Sequence, residues 1–512
     1  MLNSLAEIIV YTSGKKHILP CETPVKIDEF LNQHNLFFHA ACGGNHTCGK
    51  CKIRVEGAVS SISQKEAGFL TNSEIENHIR LACFCEIKGD AKIFVDSVNV
   101  HSVESNDTFT SSLDKDTEIG VVIDIGTTTI AGRAYDLYAK KCLKQIIQTN
   151  PQIGYGMDVI TRIAKANLGK FDEMSALLKE YVFKMIQTLA ESNTCKKTVI
   201  VGNTTMLSFF AGVPVETLGV YPFQAVDLFG RDYLETIYLA PCASAFVGGD
   251  AMAAAYISRK NASGSWMLAD IGTNGEILLA LHDKLYATST AAGPALEGYD
   301  ISCGMPAESG AISQVYITNN TLCYTVINGG IPKGICGSGL VDLLAVLGSI
   351  GMIDSMGRFQ KNGLFDDCIS EKDGLLLFKL PGTELFLTQQ DMGHIQVAKA
   401  TVCTAMEQLF SYAKISPSEL DNFFLAGGFG TALSVPNMEK IGLIPKGIKE
   451  KAVSIGNAAV EGGSRMLFSK QAIEDCVQIS KKTETIILNN TPDFERKLIE
   501  NMKFSEFGGF CK

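Results

Sequence analysis

Val121-Val122-Ile123-Asp124-Ile125-Gly126-Thr127-Thr128 and Met267-Leu268-Ala269-Asp270-Ile271-Gly272-Thr273-Asn274 are one phrase written twice. Each runs a short apolar stretch into an aspartate and then a Gly-Thr turn. The apolar stretch reads as a buried strand. Backbone N–H groups and hydroxyls of the turn can hold phosphate oxygens, and the aspartate can hold a hydrated Mg²⁺. One Asp-x-Gly-Thr alone is also ordinary turn chemistry. Two of them, with aspartates 146 residues apart, are too widely spaced for a solenoid repeat. They predict a duplicated domain with one phosphate-facing hairpin in each half.

The surrounding sequence supports that reading. From residue 119 to the end, apolar strands, Gly-rich turns and helical stretches alternate, as in an α/β domain. Neither G-x4-G-K-[ST] nor G-x-G-x-x-G occurs, so a P-loop and a dinucleotide fingerprint are both excluded. Three further segments follow in order. Val247-Gly248-Gly249-Asp250-Ala251-Met252-Ala253-Ala254-Ala255 precedes the second hairpin. Phe424-Leu425-Ala426-Gly427-Gly428-Phe429-Gly430-Thr431 reads as strand and Gly-rich turn. Ile455-Gly456-Asn457-Ala458-Ala459-Val460-Glu461-Gly462-Gly463 is a small-residue helix that a second helix could approach closely. Any one of these could be plain packing.

Together they resemble the superfamily of sugar kinases, heat-shock chaperone ATPases and actin (ASKHA), over about residues 119 to 467. The resemblance implies two ribonuclease-H-like halves closing on Mg-ATP. It assigns phosphate-1 to Asp124, Gly126, Thr127 and Thr128, and connect-1 to the helix at Asp250. Phosphate-2 falls on Asp270, Gly272, Thr273 and Asn274, the adenosine loop on Gly427, Gly428 and Gly430, and connect-2 on residues 456–462. Asp250 resembles the acid that orients the attacking water. Glu297, in Gly293-Pro294-Ala295-Leu296-Glu297-Gly298, competes for that role.

A second constellation lies upstream. Cys42, Cys48 and Cys51 are spaced C-x5-C-x2-C, and Cys83 follows 32 positions later. Four thiolates can hold the two irons of a [2Fe–2S] cluster, two per iron. Glycines in the loop let it wrap the cluster and aim N–H groups at the sulfides. The plainer readings are a zinc site or buried thiols, and Cys85 competes with Cys83 as fourth ligand. Residues 8–11, 52–56 and 92–95 read as strands. Residues 1–96 resemble a ferredoxin domain with a [2Fe–2S] cluster, an α+β β-grasp fold. Five residues separate its first two cysteines, as in the adrenodoxin-like branch.

Between the two regions, residues 97–118 hold ten Ser, Thr or Asn, five acids and one Lys, which reads as a linker. The expected organisation is therefore 1–96 ferredoxin domain, 97–118 linker, 119–265 first ATPase half, and 266–512 second half with a C-terminal extension. A net charge of −10 argues against nucleic acid and anionic lipid as main partners. No run of about 18 apolar residues occurs, and residues 1–10 make a poor signal peptide. A cytoplasmic protein with mostly reduced cysteines is expected.

An electron carrier fused to an ATPase makes sense when the electron must run uphill. Asn150-Pro151-Gln152, Val201-Gly202-Asn203-Thr204-Thr205-Met206, Gly304-Met305-Pro306-Ala307 and Gly334-Ile335-Cys336-Gly337-Ser338-Gly339-Leu340, with the segments above, resemble the reductive activators of corrinoid proteins. That resemblance implies ATP-dependent reduction of Co(II) to Co(I) on a corrinoid protein of a methyltransferase system. It also implies an unidentified low-potential donor and a possible homodimer. A branch with C-terminal [4Fe–4S] clusters does not fit, since only Cys476 and Cys511 lie there. A kinase with a redox-sensing cluster and a nucleotide-switched electron carrier are the alternatives. Ser338 is a candidate partner contact, against the plainer reading of a buried helix start. His394 reads as a surface or satisfied histidine.

Overall fold

The computed structural model describes residues 4–12, 15–34, 36, 38, 42–95, 117–272, 274–361, 363–372, 374–427 and 432–504. Thr273, Gly428, Gly430, Cys511 and residues 97–116 of the linker lie outside the described residues. The chain forms two compact units, Met1–Leu239 and Ala240–Lys512.

The N-terminal unit begins with a mixed sheet. Its strands run in the order Lys15–Thr23, Ser4–Thr12, Glu86–Phe94, Lys52–Val59, Ile79–Leu81. Ser4–Thr12 pairs antiparallel with Lys15–Thr23 and parallel with Glu86–Phe94, the pairing of a β-grasp. Alternation along the strands puts Ile8, Val10, Ile53, Val55, Ile87 and Ile93 on one buried face. Phe30 and Leu31, on the helix Ile27–Gln33, close the same core.

The second sheet of this unit orders Arg231–Leu234, Ile237–Leu239, Cys195–Gly202, Ile119–Ile125, Thr129–Asp136, Cys142–Thr149. Ile119–Ile125 lies parallel to Cys195–Gly202 and antiparallel to Thr129–Asp136. It is a central strand and reads as an apolar run because both its faces are covered. Helix Phe171–Ala190 buries Met174, Leu178, Val182, Met185 and Leu189, an i, i+4, i+8 stripe with its i+3 neighbours.

The C-terminal unit repeats that plan. Its main sheet orders Ala452–Ser454, Asn422–Ala426, Trp266–Ile271, Gly275–Leu281, Lys284–Thr290, Thr483–Thr485. Trp266–Ile271 is again parallel to one neighbour and antiparallel to the other. The register of the two copies agrees. Asp124 stands opposite Val201, one residue before Gly202, and Asp270 stands opposite Ala426, one residue before Gly427.

The two units divide at residues 239 and 240, whereas the sequence reading divides the halves at 265 and 266. The helix Gly249–Asn261 explains the difference. It packs on the helix Ala458–Phe468, so closely that a Cβ on Gly462 would strike the carbonyl of Ala253. Small residues permit that approach. The C-terminal extension also belongs to this unit. Thr483–Thr485 adds an edge strand to the sheet. Buried Lys399 donates from Nζ to the carbonyls of Asn501 and Lys503, both at 2.6 Å, tying down the helix Phe494–Met502.

Ser338 starts the helix Gly337–Ser349. It is buried and donates to the carbonyl of Ser313 at 2.8 Å, so it faces the core rather than a partner. His394 Nδ1 is satisfied by the Asp300 carbonyl at 2.9 Å. Among the described residues no helix is long and apolar enough to cross a membrane.

Candidate functional site

The cysteine loop is built for close wrapping. Gly43 has φ +56°, and a Cβ there would strike the Tyr155 carbonyl. Only glycine is comfortable in that place. The four thiols fall into two pairs. Cys51 Sγ lies 3.4 Å from Cys83 Sγ, and Cys42 shares a hydrogen bond with Cys48. Within each pair one thiol is pushed down and its partner up, as two sulfurs sharing one proton must be. Cys42 falls to about 3 while Cys48 rises, and Cys51 falls while Cys83 rises. Two close sulfur pairs, Cys42 with Cys48 and Cys51 with Cys83, fit a [2Fe–2S] cluster, which takes two sulfurs per iron.

Cys85 is fully buried, and burial pushes its thiol up to about 11. What separates the two is position: the 3.4 Å contact with Cys51 is made by Cys83. Cys83 is placed by the strand before it. Arg80 makes a bidentate pair with Glu66, Nε to Oε1 and Nη2 to Oε2, each 2.9 Å. Glu66 Oε1 also accepts from Leu81 N at 2.9 Å. His46 donates from Nε2 to the Cys83 carbonyl at 2.8 Å and stacks on Phe84, centroids 4.3 Å apart.

The first hairpin lies in the N-terminal unit. Gly126 N donates to Thr129 O at 3.0 Å, closing the turn beside Asp124. Thr127 Oγ1 accepts from Asn203 Nδ2 at 3.0 Å. Asn150 Nδ2 donates to Gly126 O at 2.8 Å, and Arg162 Nη2 donates to Thr127 O at 2.6 Å. Arg162 carries no sequence signature and was legible only in three dimensions.

The second hairpin lies in the C-terminal unit, with Asp250, Glu297 and Gly427 around it. Gly272 N donates to Asn274 O at 2.9 Å. A Cβ on Gly272 would lie 2.9 Å from Glu297 Oε1, so that carboxylate sits against the turn. Gly427 has φ +82°, and a Cβ there would lie 2.5 Å from Asp270 Oδ1. Asp250 opens the helix Gly249–Asn261, its Oδ1 accepting from Ala251 N at 2.7 Å. Burial pushes Asp250 up to about 7 and Asp270 up to about 6.

Glu276 joins this group unannounced. It is the cross-strand partner of Asp270 and accepts from Ser289 Oγ at 3.3 Å. Burial, then the charges of Asp250 and Asp270, raise it well above the usual carboxylate range. Its signal was a lone acid in the strand Gly275–Leu281. Half-buried acids crowded in this way hold their protons more tightly than isolated ones.

Comparison with known proteins decides the family. Residues 10–88 match the profile of the 2Fe-2S iron-sulfur cluster binding domain. Residues 119–261 match the RACo middle region, and residues 265–508 match the C-terminal, ASKHA domain of RACo. A corrinoid activation enzyme, RamQ, of Eubacterium limosum is 34% identical over 423 residues, 76% of this chain and 70% of that protein. The chain belongs to the RACo family.

A second family relative, the [Co(II) methylated amine-specific corrinoid protein] reductase of Methanosarcina barkeri, is 25% identical over 399 residues. The match covers 71% of this chain and 72% of that one. The solved structure of a reductive activator for corrinoid, iron-sulfur protein shares the RACo fold. It superposes with a TM-score of 0.68 at 24% identity, over 97% of this chain and 98% of its own.

Proposed function

We propose that the protein is an ATP-hydrolysing iron–sulfur oxidoreductase that activates a corrinoid protein by one-electron reduction of Co(II) to Co(I). The observation that carries the proposal is the presence, in one RACo-family chain, of two thiol pairs and two aspartate hairpins. When bound, a [2Fe–2S] cluster supplies one-electron transfer. Cys42 and Cys48 would hold one iron, and Cys51 and Cys83 the other. Glu66 and Arg80 fix the strand that presents Cys83, and His46 fixes the Cys83 main chain.

Each hairpin grips phosphate oxygens through its own turn, Gly126, Thr127 and Thr128 in one and Gly272, Thr273 and Asn274 in the other. Asp124 and Asp270 would position hydrated Mg²⁺, and Gly427 leaves room beside Asp270. Gly428 and Gly430 are assigned to adenosine by the sequence resemblance alone. Asp250 orients the attacking water. Its raised pKa suits a group that must hold and release a proton near neutrality. Glu297 is the competitor for that role. Mg²⁺, a low-potential donor and a cytoplasmic setting are parts of this proposal.

ATP turnover tests it. The anaerobically reconstituted protein should hydrolyse ATP faster when a Co(II) corrinoid protein is added. Equal turnover with and without that partner would contradict the assignment. A phosphorylated small-molecule product would replace it with a kinase.

A further inference from the structure

A polar connection runs through the N-terminal unit from the phosphate hairpin to the ferredoxin domain. Asn150 and Arg162 are both fully buried. Between them they hold all three carbonyls of the turn. Asn150 Nδ2 donates to Gly126 O at 2.8 Å, Arg162 Nη2 to Thr127 O at 2.6 Å, and Asn150 N to Thr128 O at 2.8 Å. The same two residues grip the segment that follows. Asn150 Oδ1 accepts from Gln152 N at 2.9 Å and caps the short helix Pro151–Tyr155. Arg162 Nε donates to Gly156 O at 2.9 Å, fixing the end of that helix. A buried guanidinium with main-chain acceptors is strongly directional, because every unmade bond leaves a charge undersolvated.

The far side of this segment touches the ferredoxin domain. Asn32 Nδ2, on the helix Ile27–Gln33, donates to Gly154 O at 3.2 Å. The Tyr155 carbonyl lies where a Cβ of Gly43 would be, and Gly43 is the residue after Cys42. Lys165, three residues beyond Arg162, lies close enough to Asp28 of the same ferredoxin helix to act on its charge.

We propose that residues 150–156, braced by Arg162, form a strut that reports the occupancy of the Gly126–Thr127–Thr128 turn to the cysteine loop. Asn150 and Arg162 are its positioning residues. The inference rests on the reading of that turn as a phosphate site. The physical link is the planarity of the peptide unit. The N–H of Thr127 shares a rigid plane with the carbonyl of Gly126, and the N–H of Thr128 with that of Thr127. A phosphate oxygen that engages those N–H groups also fixes the two carbonyls. Through Asn150 and Arg162 it stiffens the strut, and the strut bears on Gly43.

The test is amide hydrogen exchange on the whole, cluster-loaded protein, anaerobically, with and without a Mg-bound non-hydrolysable ATP analogue. In the unsubstituted protein, exchange should slow about threefold or more in peptides covering 126–129 and also in peptides covering 42–51. Asn32→Ala removes the bond to the Gly154 carbonyl that seats the strut, and with it the Tyr155 carbonyl, against Gly43, and it touches neither thiol nor hairpin. It should keep the slowing at 126–129 and lose it at 42–51. The electron paramagnetic resonance spectrum of the reduced cluster should follow the same split, responding to nucleotide in the unsubstituted protein and not in Asn32→Ala. Slowing at 126–129 alone in the unsubstituted protein would overturn the strut and spare the phosphate site. No slowing at either place would overturn the phosphate reading, and the strut with it. A cysteine-loop response that survives Asn32→Ala would also overturn the strut.

Discussion

Glu66→Ala removes the acceptor that holds the strand leading to Cys83. Glu66 is fully buried and Arg80 is 6% exposed. The carboxylate accepts three bonds of 2.9 Å, two from Arg80 and one from Leu81 N. After truncation, Arg80 keeps, among the described residues, only its bond to the Ser60 carbonyl at 2.7 Å. Breaking a buried ion pair by removing one partner costs about 3–5 kcal/mol, because the remaining charge is stranded. Domains are stable by only about 5–15 kcal/mol, so the cluster-bearing domain loses a large part of its margin. The exposed pair Arg54–Glu56, with side chains 44% and 40% exposed, is the control. Glu56→Ala should cost no more than about 1 kcal/mol. The assay is an anaerobic urea titration that follows bleaching of the visible cluster absorbance. At a slope of about 1–3 kcal/mol per molar, the Glu66→Ala midpoint should fall by roughly 1–5 M. Glu66→Leu combined with Arg80→Met should recover most of it, since a well-packed apolar pair can replace a buried ion pair. A midpoint no lower than that of Glu56→Ala would refute this account of how Cys83 is held.

Other outcomes follow from the same geometry. Cys42→Ala, Cys48→Ala, Cys51→Ala and Cys83→Ala should each lower iron content from two per chain, while Cys85→Ala should leave the absorbance spectrum intact; the reverse for Cys83 and Cys85 would reassign the fourth ligand. Asp124→Ala and Asp270→Ala should each slow ATP turnover through lost Mg²⁺ positioning, by about tenfold or more, without changing the cluster spectrum. Asp250→Asn should bind ATP and hydrolyse it slowly; the same phenotype in Glu297→Gln, with Asp250→Asn normal, would exchange their roles. Burial pushes Asp250 up to about 7 and Asp270 up to about 6 in the folded protein, against about 4 when unfolded. Over that window the folded state binds more protons, so nucleotide-free stability should fall as pH rises from about 4 to 7. Melting temperature against pH checks this, and Asp250→Asn should flatten the upper part of the fall.

The sequence made the hairpins and the cysteine loop legible because their chemistry is local. Asp124 and Asp270 each end an apolar run and precede a Gly-Thr turn, and Cys42, Cys48 and Cys51 sit within ten residues. Gly462 announced a close helix contact by its size, and the helix of Ala253 makes it. Contacts that join distant segments left no such trace. Arg80 and Glu66 are individually ordinary surface-type residues, and only the fold shows them paired and buried. Arg162 is invisible for the same reason, as is Glu276, whose neighbour Asp270 is set by strand register. The stretch after residue 468 holds no motif. Its role comes from the Lys399 ammonium, which meets main-chain carbonyls that any sequence would supply.

In the proposed reaction, ATP drives an otherwise unfavourable electron transfer to cobalt. Clusters of plant-type ferredoxins lie near −400 mV, and each 59 mV of one-electron gap is a factor of ten. A gap of ~120 mV would leave about one cobalt in a hundred reduced. The decisive measurement follows the Co(I) absorbance of the cognate corrinoid protein, anaerobically, after mixing with pre-reduced protein, with and without Mg-ATP. Substantial Co(I) with Mg-ATP and little without it is the predicted result. Equal yields under the two conditions would contradict coupling and leave a plain electron carrier.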